Sequence, residues 1–166
     1  MKNKGFSLLE LLLVIMIIGV IALIAVNSLG KSRINWTLKG EVNRTVSLIY
    51  QAKALASKDE RIVRIRFDDP SNVRKYWLEE NDTINKTYFP VLQNPVEVPA
   101  EAKIYLVPAY TEIYFYPEGK IMVSQGTSMQ MDLVEIYVSL ASNSNHYIKI
   151  RLYPLGAMET EKHFIY

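Results

Sequence analysis

The chemistry of the N-terminal segment centres on one carboxylate, Glu10, which precedes an uncharged apolar run at residues 11–26. A glycine and an aromatic residue, Gly5 and Phe6, stand a few positions before it. A lone charge at the centre of a membrane helix costs about 2.5–3.5 kcal/mol, whereas a buried charge is tolerated when an opposite charge pairs with it. Two alternatives follow: Glu10 lies among lipid headgroups at the membrane edge, or it has a partner inside the membrane.

The apolar segment at residues 6–26 predicts a membrane-spanning helix. At a rise of about 1.5 Å per residue it is about 31 Å long, close to the thickness of a hydrocarbon core. Lys2 and Lys4 precede it, so the positive-inside rule places the N-terminus in the cytoplasm and the remaining chain outside. The alternative is a secretory signal peptide, which has a shorter apolar core and a small-residue cleavage site. Residues 27–31 offer no convincing site of that kind.

The overall composition fits one modest domain with an apolar appendage. The 166 residues are 49% hydrophobic and carry a net charge of +2, which is too small a charge to indicate nucleic-acid binding by itself. The chain has no cysteine, so it forms neither a disulfide framework nor a thiolate metal site.

The motif KGFSLLE, residues 4–10, resembles the processing site of type IV prepilins and type II secretion pseudopilins. The resemblance implies that a prepilin peptidase removes residues 1–5 by cutting after Gly5 and that the same enzyme N-methylates Phe6. It also implies that Glu10 of one subunit pairs with the free Phe6 amine of a neighbour during assembly. Removal of the leader takes two of the 19 basic residues and leaves 17 against 17 acidic ones.

Two further features resemble the minor subunits of the GspH/FimT type. Asn27 stands where major pilins and the major pseudopilin usually have proline, and a Phe-x-Pro-x-Gly turn lies at residues 115–119. The resemblance implies an α+β, pilin-like fold, in which a long N-terminal helix packs on an antiparallel β-sheet domain.

The spacing of apolar residues after the membrane segment predicts that one helix continues from residue 6 to residue 58. We expect its core-facing stripe to contain Ile34, Leu38, Val42, Val46, Ile49 or Tyr50, and Leu55. The charged residues are expected to face mostly elsewhere, namely Lys39, Glu41, Arg44 and Lys53.

A period of two then predicts a β-rich domain at residues 59–166. Strands are predicted at residues 61–67, 76–79, 104–107, 112–116, 121–123, 134–140 and 146–153, and turns at 68–72, 117–120 and 142–145. Residues 80–85 are predicted as a loop. Residues 89–99 carry three prolines and are predicted as an extended connection rather than a central strand.

A basic cluster forms the second candidate site, and two interpretations are open for it. Its members are Arg61, Arg64, Arg66, Arg74 and Lys75. If the first two strands pair, these cations share one outer face that is able to contact DNA phosphates. The favoured interpretation is an ordinary solvated sheet face, balanced by Asp68, Asp69, Glu79 and Glu80. DNA-binding members of the family are expected to use a basic C-terminal segment, and residues 154–161 lack its arginines.

Enzymatic chemistry, metal ions and cofactors find no support in the remaining residues. His146 and His163 are expected to be exposed or edge residues rather than general bases. Asp68 and Asp69 fit a turn better than a calcium loop, which needs alternating oxygen ligands over a longer segment. A membrane-tethered enzyme is therefore the least favoured class.

The resemblance implies a structural subunit of a type IV pilus or a type II secretion pseudopilus, with an initiation, tip or connector role. Its expected place is the bacterial inner membrane, as a single-pass protein whose C-terminal domain lies outside the cytoplasm. Its expected partners are the prepilin peptidase, which is also the methyltransferase, and other pilin or pseudopilin subunits. The alternative is a minor pilin that binds DNA for uptake in natural transformation.

Overall fold

The computed structural model of the chain describes residues 8–82, 87–91 and 94–163, with the side chains of residues 24–35 and 143 excepted. Two compact units are present, one ending at Trp36 and the other beginning at Thr37. The helix α1 (Leu8–Asp59) runs through both. The sequence prediction of one long helix is confirmed over this range, whereas Gly5 and Phe6 lie outside the described residues.

The first unit is the N-terminal part of α1. Its large apolar side chains from Leu8 to Leu23 are exposed, in several cases by more than half. No helix in the described part of the chain is long and apolar enough to cross a membrane. The membrane span expected at residues 6–26 remains a prediction.

The end of α1 is closed by a left-handed residue. Glu60 has a φ of 51°, and the amide of Arg61 donates to the carbonyl of Ala56 at 3.3 Å. This is the six-to-one hydrogen bond of a Schellman motif, which satisfies a carbonyl that the helix leaves without an intrahelical donor. The chain is thereby redirected from the helix into the first strand.

The helix in the second unit buries a different set of positions from the one that the sequence predicts. The buried positions recur at spacings of one, three or four residues and are Leu38, Glu41, Val42, Thr45, Leu48, Ile49, Ala52 and Ala56. Val46 and Leu55 are only partly buried, and Tyr50 is 58% exposed. The helix therefore presents small residues at positions 45, 52 and 56, which allow its backbone to approach the domain core closely. Glu41, expected to face elsewhere, is 3% exposed, so that expectation is wrong.

The larger sheet has seven strands within the described residues, and its neighbouring strands are antiparallel. The path of neighbours is β3-β2-β1-β6-β7-β8, and β4 also pairs with β2. The strands are β1 (Val63–Phe67), β2 (Lys75–Asp82), β3 (Thr87–Pro90), β4 (Val96–Glu97), β6 (Glu112–Phe115), β7 (Ile121–Gln125) and β8 (Ser128–Gln130).

The smaller sheet has four antiparallel strands within the described residues, in the order β11-β10-β9-β5. They are β5 (Ala102–Val107), β9 (Val134–Leu140), β10 (Asn143–Leu152) and β11 (Met158–His163). The inward side chains of both sheets and the buried stripe of α1 form one hydrophobic cluster. The α+β class with an antiparallel β domain is thus confirmed.

Several local predictions are wrong at the sheet edges. Residues 80–82, predicted as part of a loop, continue β2. Residues 89–99, predicted as an extended connection rather than a central strand, include Pro90 at the end of β3 and the short strand β4, and among the described residues both strands pair only with β2. Residues 143–145, predicted as a turn, begin β10 and are separated from its regular part by a register shift. The strands β8 and β11 are not predicted at all, because their exposed side chains do not alternate between apolar and polar.

Candidate functional site

Of the N-terminal candidate site, the structure describes the residues from Leu8 onward, which include Glu10. Glu10 lies in the first turn of α1 with an exposed side chain. The neighbouring Leu8, Leu9 and Leu11 are 84%, 74% and 56% exposed. A carboxylate in the first turn interacts favourably with the positive end of the helix dipole. The helix thus presents one acid within a strongly apolar exposed surface.

The first two strands bring part of the basic cluster together on one outer face. In their antiparallel register, Arg64 stands opposite Glu79 and Arg66 stands opposite Trp77. Arg64 Nε contacts Glu79 Oε2 at 2.6 Å, and Arg66 Nη2 contacts Glu79 Oε1 at 3.2 Å. One carboxylate therefore neutralises charge on both arginines.

Arg64 is also held by strands that are remote in sequence. Its Nη1 contacts Glu112 Oε1 on β6 at 2.8 Å, and its guanidinium lies 3.8 Å from the centre of the Tyr88 ring on β3. The Tyr114 hydroxyl donates to the other oxygen of Glu112 at 2.5 Å, and burial raises the pKa of Tyr114 to about 12. Arg64 is thereby fixed by two acids and a ring on different strands.

The other basic residues of the cluster are more exposed. Arg61 pairs with Glu80 at 2.7 Å and Lys75 with Glu97 at 3.2 Å. Among the described residues, no ion pair is found for Arg74. The structure therefore places four of the five cations in ion pairs with the surrounding acids.

The sequence predicts that Asp68 and Asp69 balance the charge of this cluster. In the described part of the chain they form no ion pair with it and bind backbone amides instead. The carboxylate of Asp68 accepts hydrogen bonds from the backbone amides of Arg74 and Lys75, both at 3.0 Å. Asp69 accepts from the amide of Ser71 at 2.9 Å. Both acids organise the connection between β1 and β2, in agreement with the turn interpretation.

A second charged surface, on the smaller sheet, was missed by the sequence interpretation. Glu135 on β9 contacts Arg151 at 2.9 Å and Lys149 at 3.4 Å, and both cations also contact Glu161 on β11. The Tyr137 hydroxyl donates to Glu135 at 2.7 Å, and this bond is the main cause that lowers the pKa of Glu135. The charged residues occupy alternate positions on three strands. This alternation is the signal in the sequence that could have predicted the surface.

An aromatic row crosses the same outer face. The rings of Tyr105 and Tyr137 stack with centres 4.9 Å apart, and Tyr147 lies 5.2 Å from Tyr137. His163 stacks on Tyr147 at 4.8 Å and is exposed, as expected, whereas His146 is half-buried on β10. Two of these contacts are stacked and one is tilted, so the row contributes cross-strand packing to the sheet.

A buried acid joins α1 to the larger sheet. Glu41 is 3% exposed, its Oε1 accepts a hydrogen bond from the Tyr76 hydroxyl at 3.4 Å, and Arg44 lies 4.0 Å from its other oxygen. Burial raises the pKa of Glu41 despite the opposing effects of Arg44 and Tyr76. Within the described residues, no group of three or more acidic or histidine side chains is arranged to hold a metal ion.

Comparison with known proteins gives a family match to the N-terminal segment and a partial match to a curated relative. Residues 1–26 match the family described as the prokaryotic N-terminal methylation motif. Type II secretion system protein H of Aeromonas hydrophila is 34% identical over 68 residues, which cover 41% of this chain. The match spans 37% of that relative's length. These two findings confirm the resemblance to minor pilins and pseudopilins.

The solved structures that resemble this chain are two crystal structures of the type IV minor pilin FimU of Pseudomonas aeruginosa. One has a TM-score of 0.57 at 10% identity and covers 75% of this chain and 87% of the pilin. The other has a TM-score of 0.54 at 8% identity, with 74% and 91% covered. The chain therefore has the pilin fold.

Proposed function

We propose that this chain is a minor pilin or pseudopilin subunit that is cut after Gly5, N-methylated at Phe6 and assembled through α1. The observation that carries the proposal is the match of residues 1–26 to the methylation motif, directly continuous with a helix that leads into a pilin-fold domain. The filament would be a type IV pilus or a type II secretion pseudopilus, in which the subunit has an initiation, tip or connector role.

The physics of the first helical unit supports assembly. Its apolar side chains between Leu8 and Leu23 are exposed, and a continuous apolar surface of this kind requires lipid or other helices around it. Glu10 lies inside that surface. After cleavage, the new Phe6 amine of a neighbouring subunit would supply the opposite charge, so that two groups that are costly in lipid form one neutralised pair.

The same arrangement defines the proposed location and partners. The subunit would be a single-pass protein of the bacterial inner membrane, with the domain from Thr37 onward outside the cytoplasm. The prepilin peptidase would act on it first, and other pilin or pseudopilin subunits would then receive it. Its role would be structural rather than enzymatic.

Intact-mass spectrometry of the membrane-extracted protein tests the processing step. The expected mass is that of the chain without residues 1–5 and with one added methyl group. A Gly5→Leu variant serves as the control and should retain the leader. Recovery of the unprocessed, full-length chain from cells with an active prepilin peptidase would remove the proposal.

A Glu10→Leu variant tests the assembly step separately. It should be cut and extracted like the parent but be depleted from sheared filaments, because the neighbouring amine then has no carboxylate to pair with. Asp59→Leu, which removes an exposed acid at the other end of α1, is the matched control. Equal incorporation of the Glu10→Leu variant and the parent would contradict the role of Glu10.

A further inference from the structure

Two lysines converge on an open cavity of about 340 Å³ in the domain that follows Thr37. One wall is the last part of α1, and the others are the β6–β7 turn and the β10–β11 turn. Its polar lining includes Lys53, Ser57 and Lys120, and its apolar lining includes Phe115, Pro117 and Leu155.

The two turns that form the walls support each other. Gly119 and Gly156 both have a φ of 85°. A Cβ atom added at Gly156 would lie 2.5 Å from the carbonyl oxygen of Gly119, so only glycine permits this close approach. The amide of Ile121 also donates to the carbonyl of Pro154 at 2.8 Å. The cavity is therefore built by the fold of the chain itself.

The cavity is positively charged. The ammonium group of Lys53 donates to the carbonyl oxygen of Gly156, and burial lowers the pKa of Lys53. Lys120 lies over the Tyr116 ring at 5.6 Å. In the described part of the chain neither lysine has a carboxylate within ion-pair distance, in contrast to the arginines at the centre of the two sheet surfaces. Each lysine therefore has hydrogen-bond donors to offer to an incoming anion.

We propose that this cavity binds a carboxylate side chain from an acidic segment of the adjacent subunit. The proposal rests on the proposed function, since it requires a filament neighbour. The two ammonium groups match a carboxylate in charge, and Leu155, which is 85% exposed at the rim, offers contact to an apolar side chain beside the acid.

The lining favours a protein carboxylate over a nucleic-acid phosphate. Glu118 belongs to the same lining, so Lys53, Lys120 and Glu118 together give a net charge of +1, which one carboxylate neutralises and the repeated charges of a nucleic-acid backbone exceed. The lining also contains no arginine, the residue whose planar fork binds phosphates in a bidentate manner. A single acid flanked by apolar residues fits the charge and the apolar rim of the cavity.

Zero-length carbodiimide cross-linking tests the proposal directly, because it joins an amine to a carboxylate that is in contact with it. Filaments or membranes containing the full-length chain would be cross-linked, digested and analysed by mass spectrometry. The expected product is an amide between Lys53 or Lys120 and an aspartate or glutamate of an identified pilin-type subunit. The proposal would be overturned if filaments that contain the chain gave Lys53 and Lys120 only in peptides without a cross-link.

Charge reversal gives a second measurement that does not depend on chemical reactivity. Lys120→Glu should reduce incorporation into filaments at least about tenfold, which corresponds to the loss of one buried charge pair at an interface. Lys162→Glu, at an exposed position on β11, should incorporate like the parent. Reversal of the cross-linked acid on the neighbour to lysine should restore the Lys120→Glu variant.

The remaining outcomes separate this inference from the proposed function. If the parent is neither processed nor found in filaments, the proposed function fails and this inference fails with it. If the parent is processed and assembled while Lys120→Glu behaves like Lys162→Glu, only this inference is overturned. Loss of a DNA mobility shift in Lys120→Glu, with unchanged incorporation, would likewise overturn it in favour of a nucleic-acid contact.

Discussion

The Tyr76 hydroxyl donates a hydrogen bond to Glu41 Oε1 across 3.4 Å, between α1 and the start of β2. The distance is long for a bond between oxygen atoms, and Arg44 lies 4.0 Å from the same carboxylate. A buried carboxylate with such weak partners loses more hydration energy than it regains. Glu41 therefore weakens the packing of α1 against the sheet at neutral pH.

We expect Glu41→Gln to stabilise the protein by about 1–2 kcal/mol at pH 8, because an amide costs less to bury than a carboxylate. Burial raises the pKa of Glu41 above its ordinary value of 4.5, so the folded state binds more protons than the unfolded state just above that pH. The contribution of Glu41 to the free energy of unfolding of the parent is therefore fully present below pH 4.5. It is lost as the pH rises through the pKa of Glu41 in the folded state. The gain in the variant should therefore disappear at low pH. Thermal unfolding of Glu41→Gln and the parent at several pH values measures this gain in stability. An equal gain at all pH values would contradict the explanation.

The matched control is Glu79→Gln. Glu79 is also buried, at 6% exposure, but it is closely paired with Arg64 and Arg66. The same chemical change should therefore destabilise the protein here, since it leaves two cations without their shared acid.

Arg64→Met is expected to destabilise the protein by about 3 kcal/mol, since it leaves buried Glu79 and half-buried Glu112 without their shared cation. Arg61→Met removes an exposed pair with Glu80 and should cost less than about 1 kcal/mol. Denaturant-induced unfolding of the two variants gives the comparison. Equal losses in both would show that the position of Arg64 between two acids has no energetic consequence.

Gly156→Ala should destabilise the protein more than Gly119→Ala does. Both glycines have a φ of 85°, so both substitutions carry a backbone penalty of about 1–2 kcal/mol. Only the Cβ at position 156 also meets a backbone oxygen, whereas the space beside Gly119 is open. The difference between their unfolding midpoints isolates the steric contact between the two turns. Identical midpoints would contradict that contact.

DNA binding by the basic cluster is expected to be negligible. Four of its five cations already have acidic partners, so a phosphate would have to displace a carboxylate to reach them. A mobility-shift measurement with the detergent-solubilised full chain at low and moderate salt checks this. A shift that weakens with salt and is lost in Arg74→Ala would instead show a phosphate contact beside the β1–β2 connection.

Local sequence patterns predicted much of the architecture. The helix, the strand at residues 134–140 and the turn that contains Asp68 and Asp69 were predicted from spacing and turn chemistry alone. These features depend on residues close together in the chain, so their physical causes are present in short stretches of sequence. The segment at residues 4–10 was informative for the same reason, because its chemistry is contiguous.

The pairing of charges depended on contacts between distant residues. Arg64 and Glu112 are 48 positions apart, and they meet because β6 pairs with β1 although β2 to β5 lie between them in the sequence. The edge strands β8 and β11 were missed since edge pairing does not require an alternating apolar face.

Periodicity, the basic cluster and the glycine-to-glutamate motif follow from the order of residues, because each is a property of neighbouring side chains. The burial of Glu41, the neutralisation of Arg64 and the meeting of Lys53 with Lys120 depend on which strands and turns lie side by side. Those contacts arise when separate segments bury their apolar faces in one core, and they bring together residues that no local spacing connects.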